Sequence, residues 1–103
     1  MDEREIQERL ERGLFELSRH ALRRVVERDI TEEEIRQAGG RAEIIEDYPL
    51  DKYSPSCLVL GCTDRGRPLH MQVCYTDSRT IKVITLYEPG VDDWKDFRTR
   101  SWL

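Results

Sequence analysis

Apolar residues recur every three or four positions through the first forty residues, then at every second position from about residue 42. That change of period divides the chain into a helical part and a sheet part. Ile6, Leu10, Leu14 and Leu17 fall on one stripe and predict a charged amphipathic helix over 3–17, with Gly13 as a point where it kinks or parts from the next helix. Leu17, Ala21, Leu22 and Val25 mark the apolar arc of a second helix over 18–28. It stops near Asp29, a residue type that tolerates left-handed backbone. Thr31 followed by Glu34 is a capping box, so a third helix begins there, and the glycine pair 39–40 is its stop signal.

Four stretches then alternate: "AEIIEDY" (42–48), "CLVLGCT" (57–63), "LHMQVCYT" (69–76) and "TIKVITLY" (80–87). A loop with Pro49 and Pro55 and the turns "DRGRP" and "DSR" separate them. The order, helices first and strands after, predicts an α+β fold: two or three N-terminal helices packed on one face of a three- to four-stranded antiparallel sheet. The tail, 91–103, reads as a short helix or a loop carrying Trp94, Phe97 and Trp102. If those rings protrude together they form an anchor for a partner; otherwise they cap the open face of the sheet.

At 103 residues the chain suits a single domain, 1–103, made of an N-terminal helical extension (1–17), a core (18–90) and the tail (91–103). With 38% hydrophobic and 37% charged residues, the core is modest and the surface heavily ionised. The N-terminus is charged from Asp2 onward and no apolar run is long enough to span a bilayer, so a soluble, cytoplasmic protein with no membrane partner is expected. A net charge of −4 argues against long-range attraction to nucleic acid. Yet fourteen arginines stand against three lysines, a bias toward planar donors that fit phosphate or carboxylate in a compact cleft.

The sharpest candidate chemistry lies in "SRHALRRVVERDITEEEI" (18–35), where His20, Arg24 and Arg28 stack at intervals of four. On a helical wheel they line one margin of the apolar arc, with Arg28 angled into it, while Arg19, Arg23 and Glu27 point away. Such neighbours lie roughly 6 Å apart, and two guanidinium groups favour the neutral imidazole, a base beside an anion-binding pair. The bland reading is that these arginines pair with Glu27, Glu32 or a sheet carboxylate and only orient the helix. His70 sits on the polar side of its strand, where a packing role is the commoner one. Thr85 and Tyr87 continue the alternation of Ile81 and Val83 and so are expected at the rim of the core-facing side, able to donate to a bound phosphate. Cys57, Cys62, His70 and Cys74 suggest a zinc site, but His70 and Cys74 on one strand would stand roughly 13 Å apart. Buried, reduced cysteines are the better reading, and no metal or cofactor is expected. Phosphate-binding, nucleophile-elbow and zinc-protease motifs are all missing.

"RHALRRVVERDITEEEI", "GRPLHMQVCY" and "VITLYEP" together resemble the family described as domain of unknown function 4258, over roughly residues 18–90. Asp29 stands where such sequences usually have glycine. The family in turn resembles the barnase–EndoU–colicin–RelE superfamily of small ribonuclease toxins, whose helices pack on one face of an antiparallel sheet. The resemblance implies a metal-independent endoribonuclease-like toxin of a toxin–antitoxin pair, cleaving RNA by attack of the 2′-hydroxyl on the neighbouring phosphate. It implies His20 as general base or acid and Arg24 and Arg28 as stabilisers of the charged transition state. His70, Thr85 or Tyr87 would complete the pocket. RNA is then the substrate, an antitoxin with a YgiT-type zinc finger the cognate partner, and a homodimer is left open. The competing reading is a non-catalytic binding module whose Arg/His cleft holds an acidic partner segment or another anion.

Overall fold

A computed structural model describes residues 1–52, 54–76 and 79–101. Asp2 caps α1 (Glu3–Glu11), its carboxylate accepting from the amides of Arg4 and Glu5. The predicted helix over 3–17 ends six residues early, and the reason is Gly13. Its φ of 76° is left-handed backbone that breaks the helical ladder and turns the chain into a short strand, β1 (Phe15–Leu17). Next come α2 (Arg19–Glu27) and α3 (Glu32–Gly40), the latter opened by the expected capping box of Thr31 and Glu34. α3 ends at the glycine pair, as expected, with Gly39 and Gly40 as its last helical residues. Gly39 lies directly under Leu10 of α1, where an added Cβ would come within 2.2 Å of the leucine Cβ. The glycines there serve the close approach of two helices.

The strands β2 (Glu43–Tyr48), β3 (Ser56–Cys62), β4 (Pro68–Tyr75) and β5 (Ile81–Tyr87) form the expected antiparallel run. β1 joins its outer side in parallel with β5, giving a five-stranded mixed sheet in the order β1-β5-β4-β3-β2. The sheet is therefore larger than expected and not wholly antiparallel, though the α+β class holds. The tail is neither helix nor bare loop: β6 (Trp94–Lys95) and β7 (Thr99–Arg100) make a small hairpin.

One face of the sheet carries the core. Val59, Leu69, Met71, Val73, Val83 and Leu86 are buried there against Ile6 and Leu10 of α1, Ala21 of α2, and Ile35 and Ala38 of α3. Each fully buried aliphatic side chain of this kind contributes about 1.5–3 kcal/mol relative to exposure. α3 presses closest, with Gly61 of β3 against the Ala38 backbone.

The other face bears Glu46, Tyr48, Leu58, His70, Gln72 and Cys74 by register. Thr85 and Tyr87 belong to this face, which reverses the expectation that they continue the row of Ile81 and Val83. The cause is a bulge: Gln72 pairs with Thr85 but Val73 pairs with Val83, leaving Ile84 as the extra residue. One inserted residue exchanges the faces of everything beyond it.

Candidate functional site

α2 is fastened to β5 at both ends. At its N-terminus Ser18 donates its amide to the Val83 carbonyl (3.0 Å) and its hydroxyl to the Ile84 carbonyl (2.5 Å). The same oxygen caps the helix by accepting from the Ala21 amide at 2.9 Å. At the C-terminus the guanidinium of Arg67 donates to the carbonyls of Arg28 (2.8 Å) and Asp29 (3.1 Å). It also pairs with Glu34 (3.1 Å) and with Glu88 (2.5 Å), the residue just beyond β5. β1 stops with Leu17 opposite Val83, so α2 takes over the edge of the sheet along the second half of β5. The lengths agree: from residue 20 to 28 a helix rises about 12 Å, and a strand from 84 to 88 spans about 13 Å.

Ala21 is fully buried beneath this edge and Val25 half-buried. Arg24 is intermediate, and its contact is a loose one to Glu27 at 3.7 Å. His20 and Arg28 are exposed. Arg28 does not angle into the apolar arc, because the helix ends at Glu27 and Arg28 is the cap residue. Nor does Glu88 tether its side chain; Arg67 holds that carboxylate, and Arg28 contributes only its carbonyl. Among the described residues the side chains of Arg19, His20, Arg23 and Arg28 have no hydrogen-bond or ion-pair partner. Arg19 also lies in a first turn with no acidic residue, where the helix dipole disfavours positive charge. None of these four side chains is held by a contact that would fix the helix in place.

His70 and Tyr87 form a second cluster, on the far face of the sheet and under the C-terminal hairpin. His70 is completely buried. Its Nε2 lies 2.6 Å from the Phe97 carbonyl, which can only accept, so Nε2 carries the proton and Nδ1 accepts from the Tyr87 hydroxyl at 3.3 Å. The indole of Trp94 meets the imidazole edge-on with centroids 4.4 Å apart. Arg100 stacks over that indole at 4.6 Å and pairs with Glu46 through Nε (2.9 Å) and Nη2 (3.1 Å). Tyr48 donates its hydroxyl to the same carboxylate. Arg98 reaches Glu43 at 2.6 Å. Asp96 and Phe97, with φ of 51° and 62°, make the two-residue turn, closed by the Arg98 amide on the Lys95 carbonyl at 2.9 Å. A phenylalanine in left-handed backbone costs roughly 1 kcal/mol, which the His70 contact and the burial of Trp94 offset.

The electrostatics reflect this enclosure. Burial holds the His70 imidazole below its ordinary value, although the Phe97 carbonyl and the Glu46 charge favour the protonated form. Burial alone would raise Glu46, but the bonds from Arg100 and Tyr48 outweigh it and keep the carboxyl below its usual range. Burial, together with the bond to Glu46, pushes the Tyr48 phenol up to about 12.

Of the six sequence candidates, then, His20 and Arg24 lie on α2 and Arg28 caps its end, while His70 and Tyr87 lie together beneath the hairpin. Thr85 stands half-buried on the hairpin face opposite Gln72. Among the described residues no hydrogen bond connects the first group with the second. The aromatic anchor expected of the tail is not formed by Trp94, which is buried; Phe97 is half-buried, and Trp102 lies outside the described residues. Cys57 faces the helices and Cys74 the opposite side; both are buried thiols, and Cys62 is half-exposed. No trio of metal-ligating side chains converges among the described residues. Two features carry little signal in the sequence: the Arg67 node, an isolated arginine in a turn with no periodicity, and the Glu46–Arg100 pair, whose partners lie far apart in the chain. The aromatics of the tail are the one hint of the latter.

An α+β domain with helices on one sheet face and a cation-bearing helix along one edge is the class that fold and site define. Residues 17–88 match the family described as a domain of unknown function, DUF4258, and the chain belongs to that family. The match holds both anchors of α2 and all six candidates, and leaves out α1 and the C-terminal hairpin. No curated protein and no solved structure matches the chain. No helix is long and apolar enough to cross a membrane among the described residues.

Proposed function

We propose that the chain is a metal-independent endoribonuclease-like toxin, acting in the cytoplasm on RNA. The observation that supports this is the row His20, Arg24 and Arg28, in which His20 and Arg28 are exposed without a hydrogen-bond or ion-pair partner among the described residues and Arg24 has only a loose contact to Glu27 at 3.7 Å. In this reading His20 takes the proton of the ribose 2′-hydroxyl, whose oxygen attacks the adjacent phosphorus. The 5′-oxygen leaves as it takes a proton from solvent water, His20 gives its proton to the resulting hydroxide, and the products are a 2′,3′-cyclic phosphate and a free 5′-hydroxyl. Arg24 and Arg28 hold the doubly charged phosphorane-like state, a task suited to planar donors. Thr85, on the hairpin face beside Gln72, has no role in the reaction. His70 and Tyr87 hold the hairpin and take no part in the reaction. The cognate partner is an antitoxin with a YgiT-type zinc finger.

Induction in a bacterial host tests the reading. Growth arrest with RNA breakdown is expected, and His20→Ala abolishes both while leaving soluble expression unchanged. Unimpaired growth at high soluble expression would refute it and favour the non-catalytic anion-binding module.

A further inference from the structure

α2 has a second margin, turned away from His20. Leu22 is 55% and Val26 76% exposed, the only large aliphatic side chains on a described helix that stand so far out. They are one helical turn apart, about 6 Å, and form a single apolar spot. The wheel places Arg19 and Arg23, again one turn apart, directly beside them. Periodicity alone puts Leu22 in the buried arc, but α2 lies on the sheet edge and touches β5 and β1 with Ala21 and Val25, so this flank is left uncovered.

We propose that this flank docks an acidic amphipathic helix of a partner protein. Leu22 and Val26 receive its apolar residues and Arg19 and Arg23 its carboxylates. The charge pattern selects that occupant. A second copy laid on the same flank would oppose arginine to arginine. A nucleic-acid backbone would use the arginines but gain nothing from two protruding aliphatic side chains, whereas a protein helix uses both. The four side chains belong to one rigid helix tied at both ends by Ser18 and Arg67, so the surface is preformed and little ordering entropy is lost on docking. The inference stands apart from the catalytic reading, since none of these four side chains is among the proposed reacting groups.

The test uses the full chain, labelled for NMR, and two helix-stabilised synthetic peptides. Both carry leucines at spacings of three and four; one is flanked by glutamates, the other by lysines in the same places. The acidic peptide should shift the amides of residues 19–27 and bind at least tenfold more tightly than the lysine peptide. Leu22→Ser with Val26→Ser should weaken it tenfold or more, and Arg19→Glu with Arg23→Glu should reverse the preference. Both pairs are exposed, and unchanged spectra elsewhere will show that the fold is intact. Binding by neither peptide, or equal binding by both, would overturn the proposal. So would sedimentation showing a dimer of the chain alone that Leu22→Ser with Val26→Ser dissolves, or an RNA oligonucleotide whose binding the same pair abolishes.

Discussion

Replacing Arg67 with methionine removes one guanidinium and five contacts: two to Glu34, one to Glu88, and one to each of the Arg28 and Asp29 carbonyls. The methionine keeps most of the packing of the stem, so the change reports on the charge. Hydrogen bonds to charged groups contribute about 1.5–3 kcal/mol when buried. The Arg67 side chain is 23% exposed, and Glu88 is half-exposed, so water replaces part of what is lost. A loss of about 2 kcal/mol is expected, which for a domain of this size lowers Tm by roughly 10 °C. The pH dependence gives a second reading. Burial would raise the Glu34 carboxyl, but the Thr31 amide and Arg67 outweigh it and hold it below the usual carboxylate range. A depressed carboxyl contributes stability that is complete above the unfolded value and is lost as pH falls through the folded one. Wild type should therefore lose stability below about pH 5, and Arg67→Met should lose less over the same interval. Urea unfolding at pH 7, 5 and 4 measures both. A variant within about 0.5 kcal/mol of wild type, or one with an unchanged acid slope, would refute the assignment of Arg67 as the tie between α2 and the sheet.

Three further outcomes can be checked in the same way. Gly61→Ala would place a Cβ 1.9 Å from the Ala38 carbonyl oxygen, so α3 must move off β3; a loss of about 3 kcal/mol or more, or failure to fold, is expected in denaturant titration. His70→Asn should remove one pH dependence: an imidazole held low by burial makes the folded state bind fewer protons, so wild type loses stability as pH falls below the unfolded value of 6.5, whereas the variant begins to lose it only where the carboxylates titrate, below about pH 5. Hydrogen exchange of residues 94–101 should quicken in the same variant. Asp29→Gly should stabilise by about 0.5–1 kcal/mol, since Asp29 has φ of 51° just past the end of α2, and thermal melts would show the gain.

The range of each interaction decides whether the sequence discloses it. The capping box of Thr31 and Glu34 is local, and the third helix begins where those two residues say it does. Strands β2 to β5 are sequential antiparallel neighbours, each an apolar-rich stretch bounded by turn residues, so their bounds are legible to within a residue or two. β1 is three residues long and pairs in parallel with a strand more than sixty positions away. Leu14 and Leu17 fit the helical stripe of Ile6 and Leu10, and nothing local distinguishes the two states except Gly13. The bulge at Ile84 inserts one apolar residue among others, which leaves the composition of "VITLY" unremarkable while turning Thr85 and Tyr87 to the other face. The candidate site divides the same way. The spacing of His20 and Arg24 is a property of one helix and holds in the fold, whereas Arg28 falls on the cap residue just past its end. The expectation that His70 and Tyr87 join them depends on strand faces and on a tail whose hairpin no periodicity announces.

The central claim is that His20 performs proton transfer at a phosphate held by its neighbouring arginines, and one measurement addresses it directly. Purified wild type, His20→Ala and His70→Asn are incubated with a defined single-stranded RNA in excess chelator, and the product ends are identified. The account predicts 2′,3′-cyclic phosphate and 5′-hydroxyl ends from wild type. His20→Ala should fall by a factor of about 10² or more, the usual share of a general acid or base, while His70→Asn keeps its activity per folded molecule. Cleavage that survives His20→Ala, that stops in chelator, or that never occurs with wild type would contradict it.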